Sequence, residues 1–140
     1  MLENILTAPT AKMTCIDIFP GDLQEKFLAN LRLSGFFQKA TAIKGQSQIE
    51  LRKLPINSFD IVYIDGSHAA KDVLTDAVLS WELLRTGGIM IFDDYEWETN
   101  LPARSRPQIA IDSFIAVFGD HIEIIHHGYQ VMLKKMEKKN

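Results

Sequence analysis

Residues 59–94 read FDIVYIDGSHAAKDVLTDAVLSWELLRTGGIMIFDD, and their pattern indicates the architecture of the chain. Two short apolar runs, Ile61 to Ile64 and Ile89 to Phe92, enclose a segment in which apolar residues recur at helical spacing. Apolar runs without polar alternation that flank a helix are typical of parallel strands buried on both faces. The stretch is therefore predicted to be a strand–helix–strand crossover unit in which Gly87 and Gly88 end the helix.

Three apolar runs each lead into an aspartate. Met13 to Ile16 precedes Asp17, and the two runs of the crossover unit precede Asp65 and Asp93. Parallel strands place their carboxyl ends at one edge of a sheet, and ligands of open α/β folds bind in the crevice outside that edge. We therefore expect these three carboxylates to face one shared site.

The rest of the chain also alternates between helix and strand, and its last two strands are close enough in sequence to form an antiparallel hairpin. The 140 residues are thus predicted to form one α/β domain with a Rossmann-like, mostly parallel sheet and an antiparallel C-terminal hairpin. The elements predicted outside the crossover unit are a helix from Leu23 to near Gly35, a strand from Ala40 to Lys44, a short helix opened by Gln46 or Ser47 and ended by Pro55, a helix from Ile109 to Phe118, and strands from His121 to Ile125 and from Tyr129 to Leu133, joined by His126 to Gly128.

The composition argues against some classes of function. A net charge of -3 without a basic cluster disfavours nucleic-acid binding, for which clustered Lys and Arg supply most of the affinity. The one cysteine, Cys15, cannot form an internal disulfide and is expected to be a buried, unreactive thiol. No stretch resembles a signal peptide or a membrane span, so a soluble cytoplasmic protein is expected.

The motif from Asp65 to His68, with sequence Asp-Gly-Ser-His, lies between a predicted strand and a predicted helix. A plain strand-to-helix turn would explain two of its residues, because Gly66 permits a tight backbone and Ser67 can cap the helix. It would not explain His68, whose imidazole lies about one turn from Asp65 and can change protonation near neutral pH.

The adjacent pair Asp93 and Asp94 follows the second strand of the crossover unit. An isolated pair of this kind is most simply a solvated loop start, but Asp65 is expected at the same edge of the sheet. Three carboxylates brought together repel one another unless one is protonated or a cation joins them. A hard divalent cation such as Mg²⁺ or Ca²⁺ would therefore suit the cluster.

A third group, Asp17 with Phe19, Gly45 and Ser47, lies at the ends of two other predicted strands. An acidic residue in such a place can accept hydrogen bonds from ribose hydroxyls, and small residues after the next strand leave room for a flat base. Alternatively, Asp17 is a carboxylate at a helix N-terminus, because Pro20 and Gly21 begin the next element.

These motifs together resemble the second half of a class I S-adenosylmethionine-dependent methyltransferase, in the branch with an Asp-Gly-x-His signature that includes metal-dependent O-methyltransferases. The resemblance covers nearly the whole chain. The segments that carry it are Phe59 to His68, Leu83-Leu84, Gly87-Gly88 and Ile91 to Tyr95, with Thr14 to Asp17 and Ile43 to Ser47 fitting the second and third strands of the family.

The resemblance implies O-methyl transfer to a small-molecule acceptor, with S-adenosylmethionine as methyl donor and a divalent cation as helper. It implies that Asp65, Asp93 and Asp94 bind the metal and that His68 is the general base. It implies a cofactor site in which Asp17 holds the ribose, Gly45 and Ser47 border the adenine, and Phe19 and Asp65 also contribute.

The chain departs from the family at its start. The first strand, the glycine-rich cofactor loop after it and the first part of the next helix have no counterpart, and Met1 to Leu6 matches only the tail of that helix. We therefore expect an N-terminally truncated domain with weakened cofactor affinity. The strand edges exposed by the missing strand would be covered by direct pairing of the two flanking strands or by a second copy of the chain in a homodimer.

Two other interpretations stay open. A receiver domain also ends a strand in a functional aspartate, although its acidic pair precedes that aspartate whereas Asp93 and Asp94 follow Asp65. The chain could instead be a catalytically inactive or truncated remnant that folds, oligomerises and binds a metal or nothing. The acceptor is not indicated: the loop from Glu96 to Arg106, with Trp97, Arg104 and Arg106, suits an anionic or aromatic substrate or is an ordinary solvated loop.

Overall fold

The computed structural model describes residues 6–137, and the chain divides into two units, Met1–Glu50 and Leu51–Asn140. Each unit has its own sheet, with two strands in the first and four in the second. The predicted helix tail at Met1 to Leu6 lies outside the described residues except for Leu6, which is buried. Within residues 6–137, none of the helices is both long and apolar enough to cross a membrane.

The first unit contains β1 (Met13–Asp17), α1 (Leu23–Leu33), β2 (Ala40–Lys44) and the short helix α2 (Ser47–Glu50). Its two strands run parallel, so that Asp17 at the end of β1 stands opposite Lys44 at the end of β2. These bounds confirm the predicted strands and the helix that begins at Leu23, whereas the short helix ends at Glu50 and a 3₁₀ helix, Leu51–Lys53, follows it before Pro55. Cys15 in β1 is half-buried, and burial raises the pKa of its thiol.

The second unit contains β3 (Phe59–Ile64), α3 (Ala70–Leu83), β4 (Leu84–Phe92), α4 (Pro107–Phe118), β5 (Ile122–His127) and β6 (Val131–Lys135). The strand order is β3-β4-β6-β5. The pair β3–β4 is parallel, and the pairs β4–β6 and β5–β6 are antiparallel. The predicted α/β fold with a parallel crossover unit and an antiparallel C-terminal hairpin is confirmed.

The predicted end of the central helix is wrong. The helix ends at Leu83, and β4 begins at once with Leu84, which pairs with Phe59 of β3. The glycine pair Gly87 and Gly88 therefore lies inside the strand. The physical reason is that Leu84 is fully buried and already in the ladder, so that tertiary pairing ends the helix before the glycines are reached.

The two glycines form a bulge in β4. After Leu84, the next residue of β4 in the ladder is Ile89, which pairs with Ile61. The intervening segment leaves the regular ladder, and Gly87 has a φ of +83°, a conformation that favours glycine. A Cβ atom on Gly88 would lie 2.6 Å from Cδ1 of Leu84, so the bulge is closely packed at this point.

The turn of the C-terminal hairpin is also displaced from its predicted place. Strands β5 and β6 leave Gly128, Tyr129 and Gln130 as the joint, instead of His126 to Gly128. The N–H of Gly128 donates to the carbonyl oxygen of Gln130 at 3.0 Å, which closes the turn. The sequence pattern missed this because Tyr129 continues the apolar alternation of β6.

Helices α3 and α4 cover the core of the second unit, in which side chains of β4 and α4 pack together. Phe92 and Phe114 pack edge to face with ring centroids 5.7 Å apart, and both are fully buried. Burial on both faces was predicted for the apolar runs that precede the aspartates but does not hold for β3, because Ile61 is 43% exposed and Tyr63 is 40% exposed. Ile61 and Tyr63 lie on one face of β3, whereas Val62 and Ile64 on the other face pack into the core.

Direct pairing was one of the two predicted arrangements for β1 and β3. Among the described residues they belong to separate sheets, so direct pairing between them is not observed. Coverage of the β3 edge by a second copy of the chain stays a prediction.

Candidate functional site

Three carboxylates converge at the carboxyl ends of β3 and β4. Asp65 follows β3, and Asp93 and Asp94 follow β4, so that the parallel pairing brings them to one edge of the sheet. Each residue offers an oxygen that lies within 4.8 Å of the oxygens offered by the other two. Asp65 is exposed, and the other two are half-buried. The expected convergence of these three side chains is therefore present in the structure.

A backbone turn after β4 lets both adjacent aspartates reach the cluster. The N–H of Asp93 still donates to the carbonyl of Ile64 at 3.0 Å, which extends the ladder by one residue. Asp94 then has a φ of +59°, and its N–H donates to Oδ1 of Asp93 at 2.9 Å. A left-handed conformation at a residue with a side chain costs roughly 1–2 kcal/mol, so surrounding contacts must hold it.

Neutral donors from three other side chains surround the cluster. Tyr63 of β3 donates its hydroxyl to Oδ2 of Asp93, and Gln130 donates from Nε2 to Oδ1 of Asp93 at 3.3 Å. Tyr129 donates its hydroxyl to Oδ1 of Asp94 at 2.6 Å. Sequence reasoning missed all three donors. Tyr63 had a usable signal, because it lies two residues before Asp65 in a strand, whereas the other two depend on the register of the hairpin.

His68 is part of the same group of side chains. Its Nε2 lies 2.9 Å from Oδ2 of Asp94, and its ring stacks on Trp97 with centroids 4.2 Å apart and planes 15° apart. A carboxylate can only accept, so this contact places the imidazole proton on Nε2 and leaves the lone pair on Nδ1. The side chain of His68 is 39% exposed, which keeps the ring accessible.

Ser67 links the loop to helix α3 by hydrogen bonds but is not the N-cap residue of that helix. The N-cap position of α3 is Ala69, whose N–H donates to Oγ of Ser67 at 3.2 Å. The Ser67 hydroxyl donates to Oδ2 of Asp72 in the first turn of α3 at 2.9 Å. The expected cap at Ser67 is thus replaced by a link between the loop and the helix. The Asp65 to His68 loop is both a strand-to-helix turn and part of the candidate site.

The three carboxylates place excess negative charge at the cluster, and this charge shifts the pKa values of its members. Burial raises the pKa of Asp65, and the charges of Asp93 and Asp94 raise it further. Burial also acts to raise the pKa of Asp93, but hydrogen bonds from Tyr63, the Asp94 backbone and Gln130 outweigh it, and the pKa of Asp93 is lowered. The cluster therefore contains one carboxylate, Asp93, whose ionised form is stabilised by hydrogen bonds, and another, Asp65, that ionises at a cost.

The cluster fits a hard divalent cation. Its donors are carboxylate oxygens within the spread of one coordination sphere, and such oxygens are the ligands that Mg²⁺ and Ca²⁺ prefer. Each carboxylate has about four lone-pair sites, so the hydrogen bonds from tyrosine, glutamine and histidine leave room for a metal bond. A cation would also relieve the repulsion that raises the pKa of Asp65.

The predicted cofactor residues of the first unit gather at the carboxyl ends of β1 and β2. Oδ1 of Asp17 accepts from the N–H of Phe19 at 2.6 Å, and the carbonyl of Asp17 accepts from the N–H of Gly45 at 3.0 Å. The carboxylate of Asp17 thus closes its own loop and is not a cap of α1, for which no side-chain cap bond is formed. Phe19 has a φ of +43° and is buried.

Gly45 is enclosed by another side chain of its unit. A Cβ atom at this position would lie 2.6 Å from Cγ of Glu50 in α2, so a larger residue would require the Glu50 side chain to move. Ser47 begins α2 two residues later. The cofactor roles of these residues, and the expectation that Asp17 shares a site with the other aspartates, stay predictions.

The loop from Glu96 to Arg106 contributes one ring to the site. Trp97 covers the His68 imidazole, as described above. Arg106 folds the loop on itself, because its Nη1 donates to the carbonyl of Thr99 at 2.7 Å. Arg104 lines a separate surface groove with Lys71 and Ile109. Trp97 is therefore the loop residue with a direct contact to the candidate site.

The second unit combines an α/β fold with an acidic edge of its sheet, and the comparison with protein families identifies the family to which the chain belongs. A family model described as a methyltransferase domain matches residues 1–95. The chain belongs to this family, the class I S-adenosylmethionine-dependent methyltransferases, as the resemblance predicted. This membership replaces the receiver-domain interpretation.

Solved structures share the fold at low sequence identity. A protein of Corynebacterium glutamicum has a TM-score of 0.74 with 20% identity, over 94% of this chain and 64% of that one. The O-methyltransferase TomG of Streptomyces achromogenes, involved in tomaymycin synthesis and solved with S-adenosylmethionine, also has a TM-score of 0.74, with 14% identity over 93% of this chain and 64% of that one. The O-methyltransferase of Bacillus cereus, solved with S-adenosylhomocysteine, has a TM-score of 0.67 with 13% identity, over 89% of this chain and 63% of that one.

These comparisons also show how much of such proteins the chain represents. It spans 64% of the length of the first two structures. An uncharacterised protein, R132, of Acanthamoeba polyphaga mimivirus is 40% identical over 40 residues, which are 29% of this chain and 18% of that protein. At these identities the structures establish the fold alone.

Proposed function

We propose that the protein catalyses S-adenosylmethionine-dependent O-methyl transfer to a small-molecule acceptor, with help from a divalent cation. The observation that carries this proposal is the grouping of Asp65, Asp93 and Asp94 with His68 at one edge of the sheet. Membership of the methyltransferase family supports the reaction type. Two O-methyltransferases share the fold, TomG and the enzyme of Bacillus cereus, and this likeness supports oxygen as the methylated atom.

Each side chain of the site has a role in this proposal. Asp65, Asp93 and Asp94 would hold the cation. When bound, the cation lowers the pKa of a nearby acceptor hydroxyl, and S-adenosylmethionine supplies the methyl group to the resulting oxygen in line. His68 keeps its proton at Nε2 against Asp94 and accepts the hydroxyl proton at Nδ1. Trp97 keeps the imidazole plane fixed by stacking.

The cofactor side of the site is proposed for the first unit. Asp17 would accept hydrogen bonds from the ribose, and Gly45 and Ser47 would border the adenine, with Phe19 and Asp65 as further contacts. Parallel pairing of β1 and β2 supports this arrangement, because it places Asp17 and Gly45 at the same edge.

Calorimetric titration with S-adenosylmethionine and S-adenosylhomocysteine, with and without Mg²⁺, tests the proposal. Binding of either compound supports an enzyme. If neither gives heat or a thermal shift, the alternative of a catalytically inactive remnant is correct and the proposal fails.

The role of His68 is tested by methyl transfer from radiolabelled cofactor to a mixture of small phenols and hydroxy acids. His68→Ala should lower the rate by about 10²-fold or more and leave the cofactor affinity within about twofold. His126→Ala, which removes an exposed imidazole elsewhere, is the control and should keep the wild-type rate. Equal loss of cofactor binding in His68→Ala would make the residue structural.

A further inference from the structure

The turn of the C-terminal hairpin, residues 128–130, reaches the acidic cluster with two side chains. The hydroxyl of Tyr129 donates to Oδ1 of Asp94 at 2.6 Å. Nε2 of Gln130 donates to Oδ1 of Asp93 at 3.3 Å. The turn therefore contacts two of the three carboxylates proposed to bind the cation, although it is far from them in sequence.

The turn is itself held in place by contacts with the other strands of the site. The N–H of Tyr95, just after the aspartate pair, donates to the carbonyl of Tyr129 at 2.9 Å. Gln130 also donates to the hydroxyl of Tyr63 in β3 at 3.1 Å, and that hydroxyl is bonded to Asp93. Donors from β3, the end of β4 and the hairpin turn thus form one connected network around the carboxylates.

Two features of the aspartate pair make such a network necessary. Asp94 has a φ of +59°, a left-handed conformation that aspartate adopts more readily than most residues but still at a cost, so outside contacts help to hold its position. Like charges also surround each carboxylate, which drives the side chains apart. Neutral donors oppose this separation, since each hydrogen bond ties one oxygen to a fixed point of the turn.

We propose that Tyr129 and Gln130 are positioning residues that hold Asp94 and Asp93 in the geometry that binds a divalent cation. The inference rests on the proposed function, because it concerns the metal site of that reaction. Groups that orient the side chains of metal ligands commonly change the metal affinity by about 10–100-fold when they are removed. Tyr129 makes the shorter bond and should have the larger effect.

Mn²⁺ alone is the probe, and the concentration of free Mn²⁺ is measured by electron paramagnetic resonance. Tyr129→Phe removes the hydroxyl and keeps the ring, and we expect its dissociation constant for Mn²⁺ to rise by about tenfold or more. Tyr95→Phe is the matched control, because its hydroxyl bonds to Asp112 at 3.0 Å, away from the cluster. The control should bind Mn²⁺ within about twofold of wild type.

Gln130→Leu provides a second variant of similar size without a donor. It should weaken Mn²⁺ binding less than Tyr129→Phe, and it serves as the test if Tyr129→Phe does not fold. Thermal unfolding without metal accompanies each titration, because a merely structural role would lower the melting temperature and leave the affinity of the folded protein unchanged.

Wild-type Mn²⁺ affinity in both Tyr129→Phe and Gln130→Leu would overturn the inference, and so would a wild-type protein that binds no Mn²⁺. Failure of the proposed function is a separate result, because it is decided by the calorimetric titration with S-adenosylmethionine. A protein that binds the cofactor while the two variants keep full Mn²⁺ affinity would retain the function and refute the positioning role.

Discussion

Asp65 is the carboxylate of the cluster whose ionisation most opposes folding. Burial raises its pKa, and so do the charges of Asp93 and Asp94. A residue whose pKa is raised in the folded protein binds protons more readily there than in the unfolded chain. Its negative charge therefore destabilises the protein above the unfolded pKa of 3.8, and this cost disappears at lower pH.

Replacing Asp65 by Asn should stabilise the metal-free protein and abolish its cation binding. The side chain is exposed, so the gain at pH 7 should stay below about 1 kcal/mol and should vanish near pH 3. Thermal unfolding in the presence of a chelator at both pH values measures it. Asp120→Asn, at an exposed aspartate after α4, is the control, and an equal gain in that variant would contradict the prediction.

The three tyrosines should titrate at higher pH in the folded protein than in the unfolded chain. The hydrogen bond to Asp94 raises the pKa of Tyr129 to about 12, and burial raises the pKa values of Tyr63 and Tyr95. The neutral phenol is favoured in the folded state, so this contribution to stability is complete below pH 10 and is lost as the pH rises toward 12.

Phenolate absorbance near 295 nm measures this titration. Asp94→Asn should bring the pKa of Tyr129 down toward its ordinary value, because it removes the charged acceptor. The Tyr129→Phe variant lacks the absorbance change of this residue, so comparison with wild type identifies the part of the titration curve that belongs to Tyr129. A wild-type protein whose tyrosines all titrate at the ordinary value would be evidence against the described network.

At the scale of elements, the sequence patterns located nearly every helix and strand but misplaced two junctions. Apolar runs and helical spacing reflect which side chains of a segment are buried. Such a local pattern was sufficient to predict β2 with its observed bounds. The end of α3 depends instead on the pairing of Leu84 with Phe59, which no local pattern contains. Likewise, the side chains of Tyr129 and Gln130 look like strand residues, but they turn toward the aspartates.

The bulge in β4 predicts different costs for its two glycines. Gly87→Ala meets no atom within 4 Å but must adopt a φ of +83°, so it should destabilise by about 1 kcal/mol. Gly88→Ala would place a Cβ 2.9 Å from the backbone oxygen of Arg85, and it should cost more, about 2–3 kcal/mol.

Urea unfolding measures these changes in the free energy of unfolding. Gly119→Ala is the control, because Gly119 has a φ of -52° and no atom within 4 Å of the added methyl group. It should change stability by less than about 0.5 kcal/mol. An equal effect of all three substitutions would contradict the bulge geometry.

At the scale of the whole molecule, the rule that parallel strands share one carboxyl edge was enough to group Asp65, Asp93 and Asp94. The rule works because it needs only the direction and adjacency of two strands. It could not supply Tyr129 or Gln130, since their approach depends on an antiparallel register set by the whole sheet. The sequence pattern thus predicted the grouping of the three carboxylates, and it did not predict the side chains that form hydrogen bonds to them.

We propose that the exposed edge of β3 pairs with a second copy of the chain. Among residues 6–137, β3 is the outer strand of its sheet and carries the exposed side chains of Ile61 and Tyr63, a combination that favours such association. Ile61→Lys should therefore give a monomer, whereas Ile56→Lys, at a more exposed isoleucine outside the sheet, should leave the dimer intact. Size-exclusion chromatography with light scattering measures the masses. A wild-type monomer would refute the proposal.

The place of β6 in the sheet has a consequence for how the protein is made. This strand enters between β4 and β5 although it follows both in the chain. A ribosome must therefore translate and release the segment through Lys135 before β4 gains its second neighbour. Until then the apolar strand β4 lacks its partner on that side, which makes the unfinished polypeptide prone to aggregation.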